Sequence, residues 1–309
     1  MFLKTPGIRS FRATLLMCLI LVLVIGKAGA GEVTVVGSST LEPFLKRWAA
    51  LLKSKPSAPE VAISSPGTSV APKALTHNKA DIGAMNREMT NDEVETFIRV
   101  NGHYPTAIVV AIEAIALYTH PDNPLQGLDI AQIEGMYASD RGCSYQPHIA
   151  TWGQLGLDGD WKTQAIVLLG HDKKSAIRDY LNTTLLCRDT FKTGVAELNP
   201  NDLLNSIAQN KFAIGYGSYQ PGSKLKIMPI KKGAGGFVPL TPENIYNRTY
   251  RLQHYLYVYV NKPKDKSINP AVLEFLKVGL SAQGQQAVKD AGYVPLSDEL
   301  IQRQLAKLK

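Results

Sequence analysis

A short run of β-branched residues, a turn rich in glycine and hydroxyls, and an amphipathic helix follow one another repeatedly along this chain, and that order limits its fold more than any other feature. Val33-Thr34-Val35-Val36 leads into Gly37-Ser38-Ser39-Thr40, after which Leu41, Phe44, Leu45, Trp48, Leu51 and Leu52 recur at helical spacing. Val61-Ala62-Ile63 leads into Ser64-Ser65-Pro66-Gly67, with a helix expected over residues 70–75. A strand over residues 165–169 leads into a helix over residues 175–181. Strand, tight turn and helix in that order build parallel sheets, so an α/β protein is expected, with its turns gathered at the strand C-termini where open α/β sheets bind ligands.

The first 30 residues stand apart from this pattern. Lys4, Arg9 and Arg12 precede an apolar run over residues 15–25, and Lys27-Ala28-Gly29-Ala30 follows it, which is the arrangement of a secretory signal peptide cleaved after Ala30. The run falls short of the roughly 20 apolar residues that a spanning helix needs. Cys18 sits inside it rather than at its end, against a lipid attachment site. The remaining residues, about 280, exceed one small core and suit two lobes of about 130–150 each.

Export changes what charge and cysteine imply. Four of the 34 basic residues and none of the 26 acidic ones lie in residues 1–30, so the formal charge falls from +8 to +4. That is mild, and no Lys/Arg block with interleaved aromatics is present, which argues against nucleic acid as a partner. Cys143 and Cys187 remain, a pair that in an oxidising compartment favours one disulfide over two free thiols. Neither has the spacing of a metal site, and no motif asks for a cofactor.

Three of the turns have the chemistry of an oxyanion site. Ser39 stands three residues before Glu42, a capping-box spacing that crowds hydroxyls and free N–H groups at one helix start. Gly67-Thr68-Ser69 repeats the arrangement, and Gly170-His171-Asp172-Lys173-Lys174-Ser175 does so with three potential cations. A helix N-terminus offers unsatisfied donors and about half a positive charge, so several converging on one cleft hold an anion without a metal. Each turn alone is an ordinary cap. Ser175, His171 and Asp172 also invite a catalytic reading. They are nearly consecutive, however, and no GxSxG turn or HExxH helix accompanies them, so an enzyme is not expected.

Further pieces give these turns a context: Ala80-Asp81-Ile82-Gly83-Ala84, Phe212-Ala213-Ile214-Gly215-Tyr216, Glu243-Asn244-Ile245, Leu256-Tyr257-Val258-Tyr259-Val260-Asn261, Leu280-Ser281-Ala282-Gln283-Gly284-Gln285 and Gly292-Tyr293-Val294-Pro295-Leu296. In this order, after Gly37-Ser38-Ser39-Thr40, the chain resembles the periplasmic phosphate-binding proteins of ABC-type phosphate importers over nearly its whole mature length. The resemblance implies a two-lobe type II periplasmic-binding-protein fold with a ligand cleft between the lobes. It places residues 31–115 and 251–309 in the first lobe and 116–250 in the second, with crossings near residues 114–117 and 250–256. It also implies a periplasmic protein, monomeric, that takes inorganic phosphate or a related oxyanion and meets the membrane permease of an importer. A same-fold protein with another ligand, or a sensing or adhesion role, is the alternative.

The resemblance carries site residues over one at a time. Thr40 and the backbone of Leu41 match the family's first phosphate turn, with Ser39 beside them, though the usual aromatic after the threonine is Leu41 here. Thr68 and Ser69 match the second. Asn86 falls where some members have an aspartate that accepts a proton from phosphate, and Arg87 where a related subgroup has a Ser-Arg pair. Where the family shows an arginine and, four residues later, Ser-Gly-Thr, this chain has His171 and Ser175-Ala176-Ile177. The planar, bidentate cation is thereby missing from that turn, and Arg87 is the residue expected to replace its charge.

Overall fold

The computed structural model describes residues 31–140, 147–173, 175–187 and 190–309. The signal-peptide reading of residues 1–30 and the position of Cys143 lie outside the described residues. In chain order the first elements are β1 (Val33–Gly37), α1 (Glu42–Lys53), β2 (Val61–Ser64), α2 (Ala71–Thr76) behind a 3-10 turn over Thr68–Val70, β3 (Ile82–Met85) and α3 (Asn91–Asn101). Next come β4 (Thr106–Thr119), β5 (Leu128–Asp129), α4 (Ile130–Tyr137), β6 (Val167–Gly170), α5 (Ala176–Thr184), β7 (Ala196–Glu197), α6 (Pro200–Gln209) and β8 (Ala213–Ser218). The chain ends with β9 (Lys226–Ile227), β10 (Ile230–Lys231), α7 (Pro242–Tyr246), β11 (Gln253–Val260), α8 (Pro270–Gly279), α9 (Ala282–Asp290) and α10 (Asp298–Lys307).

One nine-stranded sheet runs β2-β1-β3-β11-β4-β8-β6-β7, with β9 also on β4. Its outer pairs, β1 with β2 and β3, and β6 with β7 and β8, are parallel, as strand–turn–helix units require. The centre differs from the all-parallel expectation: β11 is antiparallel to both β3 and β4, and β4 is antiparallel to β8. The reason lies in β4, a 14-residue strand buried from Ile108 onward, which serves two halves of the molecule. It pairs with β11 as far as Ala114 and with β8 from Ile115. β11 enters opposite Ala114 and runs back along it, so the two strands lie head to tail where the halves meet.

After β11 the chain packs on the β1–β3 half. Trp48 of α1 is fully buried, donates Nε1–H to the Gly284 carbonyl at 2.9 Å, and lies 5.9 Å from the Phe275 ring. Buried Gln285 ties three segments together: its Nε2 donates to the carbonyls of Val110 and Gly279, and its Oε1 accepts from Leu296 N–H. These bonds leave few buried polar groups unmet in a crowded interface, as a stable core demands. No helix of the described residues is long and apolar enough to cross a membrane.

Cys187 is disulfide-bonded and holds a left-handed φ of 52°. With Cys143 as the expected partner, the closed loop of about 40 residues is worth roughly 3–4 kcal/mol in the chain-entropy account. Reduction should therefore lower the melting temperature, and denatured, unreduced protein prepared under oxidising conditions should show no titratable thiol. Two free thiols in that titration would contradict the pairing.

Candidate functional site

The turns after β1, β2, β3 and β6 face one another across a cleft of about 600 Å³. The first is wound by backbone bonds: Leu41 and Glu42 N–H donate to the Ser38 and Ser39 carbonyls, both at 3.3 Å. The expected capping box does not form. Leu41 takes the N-cap place with its side chain fully buried and makes no side-chain cap, while Glu42 turns to Lys46 at 2.5 Å. Ser39 is left exposed at the cleft, and Thr40 lines it with an Oγ1 that is buried and has no hydrogen-bond partner among the described residues. A buried hydroxyl in that state costs about 1–3 kcal/mol, which a polar ligand would offset.

Gly37 draws the turns together. Beside it the Ser38 N–H donates to the Ala84 carbonyl at 2.8 Å, and its own carbonyl accepts from Gly67 N–H at 2.9 Å. The Thr68-Ser69 turn thus sits against the Thr40 turn, with Asn86 beside it. The Thr68 hydroxyl donates to Asn86 Oδ1 at 2.7 Å and accepts from the Asn86 backbone N–H at 3.3 Å.

Arg87 lines the cleft, but its guanidinium is bound in the wall. It forks onto both carboxylate oxygens of Glu93 at 2.8 and 2.9 Å and also donates to the Glu88 carbonyl at 2.8 Å. Glu93 closes the capping box of α3 with Thr90 at the same time. The Glu93 hydrogen bond raises the guanidinium above its ordinary range; burial pushes the Glu93 carboxyl up, and the bonds from Arg87 and Thr90 outweigh it and hold it below the usual carboxylate range. The cation expected to stand free for a ligand is instead half of an ion pair.

The fourth turn brings Lys173, Ser175 and Ala176 to the opposite wall. Ser175 is the N-cap of α5 without a side-chain bond, its N–H donating to the Asp172 carbonyl at 3.0 Å. Asp179, Tyr180 and Thr183 continue the wall. Nothing in their residue types singles these three out in the sequence, although their spacing from Ala176 marks one face of a helix. The same holds for His254 of β11, also on the cleft lining, for which only the strand register gives a sign.

Leu41, expected to act through its backbone, has its side chain in the core and its N–H on the Ser38 carbonyl at 3.3 Å. His171 does not line the cleft: 4% exposed, it packs its ring 5.5 Å from Tyr216, and its Nε2 has no hydrogen-bond partner among the described residues. Burial pushes the His171 imidazole below its ordinary pKa, so it supplies no cation near neutral pH. Its carbonyl accepts from Arg178, which pairs with Glu197 at 3.0 Å and stacks on Phe191 at 4.2 Å, away from the cleft lining. Ser175 and His171 therefore do not meet as nucleophile and base. Among the described residues, no group of His, Cys, Asp or Glu could hold a metal ion.

Residues 25–283 match a family described as a PBP superfamily domain. The phosphate-binding protein PstS of Pseudomonas aeruginosa is 35% identical over 282 residues, covering 90% of this chain and 87% of that relative. Among solved structures, a possible phosphate binding protein from Planctomyces limnophilus superposes with a TM-score of 0.74 at 24% identity, over 90% of this chain and 97% of that one. An ABC-type phosphate transport receptor from Vibrio cholerae gives 0.66 at 19% identity, over 85% and 100%.

Proposed function

The chain belongs to the PBP superfamily, and from that premise we propose that it is an exported binding protein that captures phosphate in this cleft and delivers it to the membrane permease of an ABC importer. In this reading residues 31–115 and 251–309 form one lobe, 116–250 form the other, and β4 and β11 are the two connections across which they close. The protein acts in the periplasm, as a monomer, and performs no bond-making step.

The observation that carries the reading is the unpartnered, buried Thr40 hydroxyl at the point where four turns converge. Ser39, Thr40 and Ser69 would donate from one wall and Ser175 from the other, with Thr68 and Asn86 as an already coupled pair between them. The starts of α1, the Thr68–Val70 turn with α2, and α5 add backbone N–H groups and their partial positive charge. Binding of this kind depends on preorganised neutral donors more than on net charge, which suits a cleft whose arginine is already paired. Asn86 favours a second reading, a fully ionised oxyanion such as sulfate, since its amide offers no carboxylate to take an oxyanion's proton.

Thermal shift and calorimetry against phosphate, sulfate, arsenate and molybdate test this directly. A ligand at a hundred times its Kd should raise stability by about 2.7 kcal/mol, and phosphate is expected to give the largest rise. Thr40→Val should weaken phosphate binding by about 0.5–1.5 kcal/mol while leaving the free protein as stable or slightly more so, because an orphaned hydroxyl becomes a methyl. Unchanged phosphate affinity in Thr40→Val would move the ligand to another part of the molecule.

A further inference from the structure

Glu113 of β4 and His254 of β11 stand opposite each other in the register of the two strands that join the halves. Their side chains are 3% and 16% exposed, and His254 Nε2 lies 3.2 Å from Glu113 Oε2. This is an ion-pair contact rather than an aligned hydrogen bond, because Glu113 Oε2 has no hydrogen-bond partner among the described residues; the far ring nitrogen, His254 Nδ1, has none there either. Tyr180, reaching in from α5, stacks on the imidazole with centroids 4.2 Å apart and planes 24° from parallel, and its hydroxyl donates to the Gln253 carbonyl at 3.3 Å. His254 and Tyr180 line the cleft, whereas Glu113 does not. The carboxylate is therefore buried behind the imidazole, and the imidazole faces the space where a ligand would sit.

That order sets the imidazole between a buried carboxylate and the ligand space. His254 is the ion-pair partner found for Glu113 among the described residues, so a neutral imidazole would leave a buried carboxylate uncompensated. With His254 neutral, the floor carries net negative charge and repels an anion; with His254 protonated, it is a dipole whose positive end meets the cleft. The other charged groups on the lining are Asp179 of α5, Lys173 before it, and Arg87, which Glu93 already neutralises. The Glu113 charge also bears on His171 and on Tyr293. We propose that His254, backed by Glu113, is the titrating cation of the cleft, so that oxyanion capture and protonation of His254 strengthen each other. The proposal rests on the oxyanion reading above, and by linkage the coupling is the same in both directions.

The His254 ring proton, identified by its loss in His254→Gln, can be followed by NMR from about pH 5 to pH 8.5 with and without saturating phosphate, the range in which an imidazole titrates. Phosphate is expected to raise the His254 midpoint by about one unit, equivalent to roughly tenfold tighter binding to the protonated form. Glu113→Gln should lower the midpoint in both states. Wild-type phosphate affinity, read against Glu113→Gln so that phosphate's own ionisation cancels, should fall as pH rises through the His254 midpoint, and this measurement serves if His254→Gln does not fold. Phosphate binding with an unmoved His254 midpoint overturns the proposal and leaves the oxyanion reading standing. Absence of phosphate binding by calorimetry at every pH removes the oxyanion reading, and this proposal with it.

Discussion

Gly37→Ala is expected to destabilise the protein by about 3–5 kcal/mol and to abolish measurable oxyanion binding, because two separate costs fall on one residue. Gly37 holds φ at 151°, a conformation that side chains disfavour, and a Cβ there would stand 1.9 Å from the Ala84 carbonyl oxygen, with the Ala84 backbone C and N within 2.9 Å. All three atoms are backbone, so no rotamer relieves the overlap and β1 must move away from β3. The same shift strains the bonds from Ser38 N–H to Ala84 and from Gly67 N–H to Gly37, which set the Thr40 and Thr68 turns side by side. Urea unfolding should show a lower midpoint with an unchanged slope. A variant that kept wild-type stability, or kept phosphate affinity while losing stability, would show that the two turns do not depend on this close approach.

What could be read from the sequence was local. The Val33–Gly37 strand, the Leu41-to-Leu52 helical spacing and the hydroxyls after Gly37, Gly67 and Gly170 are patterns within a dozen residues, and the structure turns each into a strand, a helix or a cleft wall. The capping box expected at Ser39 does not form because two signals compete there. Ser39 and Glu42 have the right spacing, but burial of Leu41 set the helix start one residue before Glu42, whereas the box at Thr90 and Glu93 formed where no apolar residue contested it. Arg87 shows a subtler limit. Its chemistry and its place on the cleft were visible, and its partner is only six residues away, yet whether Glu93 serves α3, Arg87 or both depends on side-chain directions after β3 that no spacing encodes.

The rest was hidden because it depends on long-range register. His171 looked like a cation on a polar turn, but its ring is buried by Tyr216 on β8, 45 residues away. His254 looked like one polar residue in a β-rich run. It becomes part of the cleft only because β11 enters the sheet opposite Ala114 of β4, which sets His254 across from Glu113. The antiparallel centre of the sheet has the same origin: alternating units predict parallel pairs within each half, and say nothing about strands that travel between halves.

Trp48→Ala is the sharpest test of how the C-terminal helices complete the fold. The indole is fully buried between α1 and the α8–α9 pair, 5.2 Å from the Phe44 ring and 5.9 Å from Phe275. Gly279 lies so close beneath it that a Cβ there would come within 2.4 Å of the ring, so the helices meet at a contact shaped for this side chain. Truncation opens a cavity and strips the Gly284 carbonyl of its indole donor, for an expected loss of about 3–5 kcal/mol. Because the lost contacts lie between α1 and the last helices, the loss should be local before it is global. Amide exchange should rise in α8 and α9 while β6 and β8 keep their protection, as expected when one cooperative unit is weakened. Trp48→Phe, which keeps most of the ring but not the N–H, should cost less than Trp48→Ala. If exchange rose instead in β6 and β8, or if Trp48→Ala lost under about 1 kcal/mol, the cost of a peripheral substitution rather than a core one, α1 would not be the platform on which the returning chain is built.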